Sequence, residues 1–375
     1  MLPFQDALSY VLQNCRQLKP ALSPVAKARG LVLAQDVVAL EAIPPFANTA
    51  MDGFALRSSD VREPPATLRI IETIAAGHSP KMLVNEGEAS RIMTGAPIPD
   101  GANAIVMVEQ TEVDGDELTV NISVPVGNHI RPIGDDISKG ELVFEEGTIL
   151  TPGHLGVLSS LGFLEVIVFP RPRVGVISTG DELVADGSAL KPGQIRDSNR
   201  RTLLALLEEN DMSPVDLGLL PDNEDAIENG LVEGAAVCDA LITSGGVSMG
   251  DFDYVKSVLQ RIGDMRWMQI DIKPAKPLAF GLIGDTPIFG LPGNPVSSMV
   301  SFELFARPGL RAMMGRADPL RKRVVATAVE SLGRRPDGKT HFVRAIVDYA
   351  DGKVFVRSGG GQGSHMLAAM ARSNS

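Results

Sequence analysis

From residue 171 onward, short apolar segments alternate with amphipathic ones, and no other feature constrains the fold as strongly. "RVGVIS", "PVDLGLL" and "DALITS" read as strands, and each is followed by a helix: "SNRRTLLALLEEN", "DAIENGLVEGAAV" and "DFDYVKSVLQRI". The strand segments are apolar on both faces, so each must be covered twice. Strands joined by helical crossovers run parallel, so residues 171–317 are predicted to form an αβα domain around a parallel sheet. Within it, "PLAFGLIGDTPIFGLPG" reads as a hairpin at the sheet edge and "PVSSMVSFELFARPGLRAMM" as a helix.

At 375 residues the chain is too long for a single core. Residues 1–40 read as a helix, then a helix-to-strand passage through "SPVAKARGLVLAQDV". Together with the helical "TPGHLGVLSSLG" in 145–170 they are expected to build a small discontinuous α/β domain. Residues 41–144 carry short β-branched segments and a hairpin signal, "VDGDEL", which predicts an inserted β-rich domain. Residues 318–375 return to strands, "RVVATAVESL", "HFVRAIVDY" and "KVFVRSG", as a small C-terminal β domain. The expected fold is therefore an α/β multidomain protein.

Net charge is -11, which disfavours nucleic acid as the main partner. No apolar run approaches a membrane span, and the N-terminus lacks the basic start and apolar stretch of a signal peptide. Two lone cysteines, Cys15 and Cys238, argue for a reducing compartment, so the expected location is the cytoplasm. HExxH and CxxC spacings are absent, which argues against zinc and iron–sulfur sites.

Two motif matches fail on context. "GRRPDGKT" (Gly333–Thr340) fits the phosphate-loop pattern, but a strand-like segment follows it, so a hairpin turn is the better reading. "GVSMG" (Gly246–Gly250) fits a nucleophile elbow, yet a serine hydrolase would not need the aspartates that follow.

The loop "TSGGVSMGDFDY" lies at the carboxyl end of a predicted parallel strand, where open α/β sheets bind ligands. Its glycines, Gly245, Gly246 and Gly250, let backbone N–H groups approach an oxyanion, and Ser244 and Ser248 add hydroxyls. Asp251 reads as a helix N-cap, whereas Asp253 so close to an anion calls for a cation between them. Similar carboxylates recur: Asp181 and Glu182 after "VISTG", Asp222 in "LLPDNED", Asp135 and Asp136 in "GDDIS", and Asp52 in "TAMDGF". Each alone reads equally as a turn carboxylate; together they suggest a divalent-metal and phosphate site. Lys273 and Lys276, each followed by proline in "DIKPAKPLAFG", concentrate positive charge in an acidic protein and read as anion ligands. "FGLPGNPVSS" turns through Pro292 and Pro295 into a helix whose N-terminus would face ligand.

"PPFANTAMDGFAL", "RIMTGAPIPDGANAIVMVEQ", "GDDISKGE", "STGDEL", "PGQIRDSN", "SGGVSMGDFDY", "IKPAKPLAFG" and "LPGNPVS" stand in the order found in molybdopterin molybdenumtransferases. The chain resembles that family, the bacterial MoeA type and the gephyrin E domain, over nearly its whole length. The resemblance implies four subdomains in an elongated homodimer. The αβα domain would resemble the molybdopterin-adenylyltransferase fold, joined by an inserted β-rich domain, a small α/β linker domain and a C-terminal β-barrel-like domain. It implies that adenylylated molybdopterin and molybdate are the substrates and Mg2+ the cofactor, with cleavage of the pyrophosphate linkage and release of AMP. The functional acids would be Asp52, Asp136, Glu182, Asp222 and Asp253, with Thr94 beside them. Glu182, Asp222 and Asp253 would hold the metal. Ser244, Gly245, Gly246, Ser248, Lys273, Lys276, Pro292, Pro295 and Arg344 would bind substrate. Many relatives have aspartate where this chain has Ala47, and a serine pair where it has Ala368 and Ala369; if that pair helps hold molybdate, this chain must use Ser364 or do without. The resemblance also implies sites shared across the dimer and contact with molybdopterin adenylyltransferase. Two alternatives are a gephyrin-like scaffold and an adenylyltransferase. A scaffold needs no strand-end carboxylates, and an adenylyltransferase needs neither the inserted domain nor the paired lysines.

Overall fold

The computed structural model describes residues 1–245, 254–333 and 337–375. The chain forms two compact units: Met1–Ser23, Ala28–Ala34 and Ile167–Ser375 make the first, Pro24–Lys27 and Gln35–Val166 the second. Helix α1 (Phe4–Asn14) presents Ala7, Leu8 and Val11 on one face and buries them in the core of the first unit. The helix-to-strand passage expected after it consists of a strand, Ala21–Pro24, one 3-10 turn, Val25–Lys27, and two-residue strands at Val32–Leu33 and Val37–Val38. Pro24 and Gly30, the latter at φ +80°, break any longer helix.

The second unit is built on a six-stranded sheet. Its strands are β1 (Gly53–Leu56), β2 (Ala66–Ile74), β3 (Glu88–Ile92), β4 (Ala104–Met107), β5 (Thr111–Asp114) and β6 (Glu117–Val120), in the order β4-β1-β3-β2-β6-β5. β5 and β6 form the predicted hairpin, with Gly115 at φ +61° in its turn. Phe54, Leu56, Leu68, Leu118 and Val120 fill one core cluster of this unit. Further along, α2 (Pro152–Ser160) starts with a capping box in which Thr151 and His154 exchange side-chain and backbone bonds. Gly53 is sterically obligatory, since a Cβ there would lie 2.0 Å from the backbone oxygen of Val106. Gly53→Ala should therefore destabilise the protein by about 3 kcal/mol, and an unchanged thermal midpoint would refute this packing.

In the first unit the predicted alternation is realised as β7 (Arg173–Thr179), α3 (Asn199–Glu209), β8 (Ser213–Leu220), α4 (Glu224–Val237), β9 (Ala240–Ser244) and α5 (Tyr254–Ile262). β10 (Asp264–Gln269), β11 (Pro277–Ile283) and β12 (Thr286–Leu291) complete the sheet, whose order is β8-β7-β9-β12-β11-β10. β8, β7, β9 and β12 are parallel, and β11 runs antiparallel to both of its neighbours. The β11–β12 hairpin thus lies inside the sheet, not at its edge. The edge is β10, "DMRWMQ", whose charged and polar residues masked it as a strand. Alternate residues face opposite cores: Val174, Val176 and Ile242 pack with α1 and α3, whereas Ile177 and Leu241 pack with α4 and α5.

The closing helix is interrupted. α6 (Pro295–Ser301) passes through a π turn at Phe302–Ala306 into α7 (Arg307–Met313), just before Pro308, which has no N–H to continue an α-helical ladder. In the C-terminal segment β13 (Ala345–Ala350) and β14 (Lys353–Ser358) form a hairpin, but only Thr327–Ala328 of "RVVATAVESL" is strand. That pair lies against β14, while Thr340–His341 lies against Ile272–Lys273. The strands flanking "GRRPDGKT" therefore pair elsewhere and not with each other, and residues 334–336 of that stretch lie outside the described residues. A strand, not a helix, follows it, so it has no phosphate-loop context either. The chain ends in a short helix, α8 (Leu367–Ala371), where only strands were expected. Among the described residues no helix is long and apolar enough to cross a membrane.

Candidate active site

The chain leaves β7 to form β8 on one side and returns to form β9 on the other, so the carboxyl ends of β7 and β9 flank a topological switch point. Three strand ends meet there: Ser178-Thr179-Gly180 closing β7, Ser244-Gly245 closing β9, and Pro292-Gly293-Asn294 after β12. Asn199, the first residue of α3, ties two of them together. Its side-chain Nδ2 donates to Ser244 Oγ at 2.8 Å and to the Gly293 carbonyl at 2.8 Å. Asp197 fixes the helix start behind it, accepting from Ser178 Oγ at 3.1 Å and from Arg200 Nε at 2.8 Å. Asp197 and Arg200 are buried, so this ion pair holds only because each group is hydrogen-bonded.

Gly245 stands at φ +94°, a conformation that suits only glycine. Its N–H is bonded to the Leu291 carbonyl at 3.0 Å, so Gly245 supplies the turn and not the oxyanion donor expected of it. At the rim, Asp181 and Asp222 are locked reciprocally, the N–H of each donating to the other's carboxylate at 3.4 and 3.2 Å. Glu182 folds back over Gly180, where a Cβ would lie 2.6 Å from the Glu182 carboxylate. Glu182 and Asp222 therefore come from adjacent strand ends. Gly246, Ser248 and Asp253 lie outside the described residues. Among the described residues no group of three or more His, Cys, Asp or Glu side chains stands ready to hold a metal ion.

Lys273 and Lys276 are both exposed, on either side of buried Ala275 at φ +67°. A left-handed alanine is a strained residue of the kind that clusters at binding loops. Pro292 is buried, and Pro295 occupies the first turn of α6. The next N–H, of Val296, is bonded to the Ser364 carbonyl at 3.1 Å, so this helix start is covered in part by the C-terminal loop. Ser364 is thereby brought to the Pro292–Pro295 turn. Arg344 has a different place from the one expected. It is only 3 % exposed, and its guanidinium donates to the Gly361 and Gly363 carbonyls at 3.0 and 3.1 Å. It shapes the loop that carries Ser364.

In the second unit, Asp52 accepts two hydrogen bonds from Thr94, 2.6 Å from its N–H and 2.7 Å from its hydroxyl. The Thr94 amide first, then its hydroxyl, and more weakly Arg91, hold the Asp52 carboxyl below the usual carboxylate range. The segment before Asp52 also anchors the other loops. Ile43 exchanges backbone bonds with Ile137 and takes the Asp136 N–H at 3.0 Å, while Thr49 does the same with Gly95 and Ala96. Asp52, Thr94 and Asp136 thus sit on turns stitched to a single stretch, residues 43–53.

Three family models match the chain: the MoeA N-terminal region (domains I and II) over residues 2–162, a probable molybdopterin-binding domain over 175–312, and the MoeA C-terminal region (domain IV) over 333–375. Molybdopterin molybdenumtransferase 2 of Mycobacterium tuberculosis is 40% identical over 384 residues, covering 100% of this chain and 94% of that protein. This chain belongs to the molybdopterin molybdenumtransferase family. A molybdopterin molybdenumtransferase of Haemophilus influenzae is 39% identical, over 93% of this chain and 86% of that one. The crystal structure of a molybdopterin biosynthesis MoeA protein from Pyrococcus horikoshii matches all of this chain and 94% of its own at TM-score 0.81 and 32% identity. Family membership makes this an enzyme of molybdenum cofactor biosynthesis with an α/β multidomain fold.

Sequence reading of this molybdenumtransferase overlooked Asn199, Asp197 and Ser178 as parts of the site. The available signal was "RDSN", four consecutive polar residues opening a helix at a strand's carboxyl end. The Thr94–Asp52 contact carries a pH prediction. A depressed pKa keeps Asp52 ionised to lower pH, so its charge is lost only as pH falls through that value. Thr94→Ala removes the hydroxyl bond and leaves the amide bond, raising the Asp52 pKa and moving the acid limb of the activity profile to higher pH. Carboxyl-carbon NMR titration of Asp52 measures this directly, and an unmoved midpoint would contradict it.

Proposed function

We propose that this enzyme inserts molybdenum from molybdate into adenylylated molybdopterin, with Mg2+-dependent cleavage of the pyrophosphate bond and release of AMP. The observation that carries the reading is the convergence of Ser244, Gly293 and the Asp181–Asp222 carboxylate pair at the switch point of the sheet. Hydroxyl and turn groups there suit a phosphorylated pterin.

Carboxylate oxygens are the donors a hard cation takes, and Asp181 and Asp222 present theirs from neighbouring turns, each carboxylate accepting the other residue's N–H. Glu182 and Asp222, with Asp253, would hold Mg2+. Bound there, the cation would neutralise charge on the phosphate oxygens. Ser244 donates to the substrate, and Gly245 shapes the loop around it. Lys273 and Lys276 collect molybdate, and Ser364 adds a hydroxyl beside Pro292 and Pro295, held by the loop that Arg344 pins. Asp52, Thr94 and Asp136 complete each site from the other subunit of a homodimer. The chain works in the cytoplasm and receives its substrate by contact with a molybdopterin adenylyltransferase.

Incubation with adenylylated molybdopterin, Mg2+ and molybdate should release AMP, and omission of either ion should lower the rate sharply. An adenylylated product formed from ATP and free molybdopterin would assign adenylyltransferase activity instead. Binding of the nucleotide without turnover under any of these conditions would favour a scaffold.

A further inference from the structure

We infer that Asn199 is a positioning residue that sets the hydrogen-bond polarity of Ser244, leaving the Ser244 hydroxyl as a dedicated donor to a phosphate oxygen of the ligand. The inference rests on the proposed binding of a phosphorylated pterin at this switch point.

The polarity follows from the two contacts of one atom. The Gly293 carbonyl can only accept, so the Asn199 side-chain atom 2.8 Å from it must be the NH2 nitrogen. That nitrogen carries two hydrogens, and the second points at Ser244 Oγ, also at 2.8 Å. Ser244 Oγ is therefore an acceptor toward Asn199, and its single hydrogen must go elsewhere. Ser244 is 4 % exposed, yet among the described residues no protein group accepts that hydrogen. A buried donor left without an acceptor is costly, and an anionic oxygen in the crevice would complete it. Reversing the Asn199 amide would set its oxygen against the Gly293 carbonyl, and the backbone around it is anchored by the buried Asp197–Arg200 ion pair at 2.8 Å, with Asp197 held to β7 through Ser178.

The test is a double-mutant cycle read as the Kd of adenylylated molybdopterin for the full-length protein, measured by calorimetry without turnover. Ser244→Ala should raise Kd roughly 10- to 100-fold, the size of a hydrogen bond to a charged group. Asn199→Asp preserves size but turns a donor into an acceptor, so the Ser244 hydroxyl would point inward and face the ligand with lone pairs. In that background Ser244→Ala should change Kd by less than about twofold. Should Asn199→Asp fold poorly by circular dichroism, Asn199→Ala serves instead. It frees the hydroxyl, and Ser244→Ala should then cost less than it does in the unaltered protein. Equal costs of Ser244→Ala in all backgrounds would overturn the inference while leaving pterin binding intact. No binding to the unaltered protein would instead overturn the proposed function.

Discussion

Subunit exchange between Asp52→Asn and Asp222→Asn proteins should restore activity to about a quarter of all sites. Each variant alone should lose turnover on the order of 100-fold, because each removes a charged group from the proposed reaction centre. Asp52 belongs to the second unit and Asp222 to the first. If a site draws Asp52 from one subunit and Asp222 from its partner, a mixed dimer holds one site with both lesions and one with neither. Random exchange makes about half the dimers mixed, which yields the quarter. Were both carboxylates drawn from a single subunit, no pairing would create an intact site. Native mass spectrometry showing mixed dimers with no recovered AMP release would exclude the shared site.

Replacing Lys273 and Lys276 together by alanine should raise the apparent KM for molybdate on the order of 100-fold, two charge-assisted contacts of about 1.5 kcal/mol each. Both side chains are exposed, so the thermal midpoint should hardly move. The backbone of this loop has its own supports. Ile270 N–H donates to the Lys276 carbonyl at 2.8 Å and Phe342 N–H to the Lys273 carbonyl at 2.9 Å, and alanine keeps both bonds. A correctly folded double variant with an unaltered molybdate dependence would remove these lysines from the oxyanion site.

The αβα core is legible in consecutive residues alone. β7 and β9 must be covered on both faces because their residues are apolar at successive positions, and the crossovers between them are long enough for helices. The sequence also placed Ser244 and Gly245 at the carboxyl end of a parallel strand, and Asp181, Glu182 and Asp222 just after strands of the same sheet. Local pattern carries such information because a strand's length and burial are written in consecutive residues. It failed at β10, where an edge strand carries Asp264, Arg266 and Gln269, and in the C-terminal segment, where Thr327–Ala328 and Thr340–His341 find partners far away in the chain.

What each polar group does follows from contacts that exist only once the chain is folded. The Gly245 N–H and the Val296 N–H look available in the sequence, but Leu291 and Ser364 carbonyls take them. Arg344 looks like a ligand-binding cation, yet burial among the Gly361 and Gly363 carbonyls makes it a brace for a loop. Asn199 looks like an ordinary first residue of a helix until Ser244 and Gly293 are found within reach of one nitrogen. Hydrogen bonds depend on angstrom-scale distances between residues remote in sequence, and the periodicity of a segment holds no record of them.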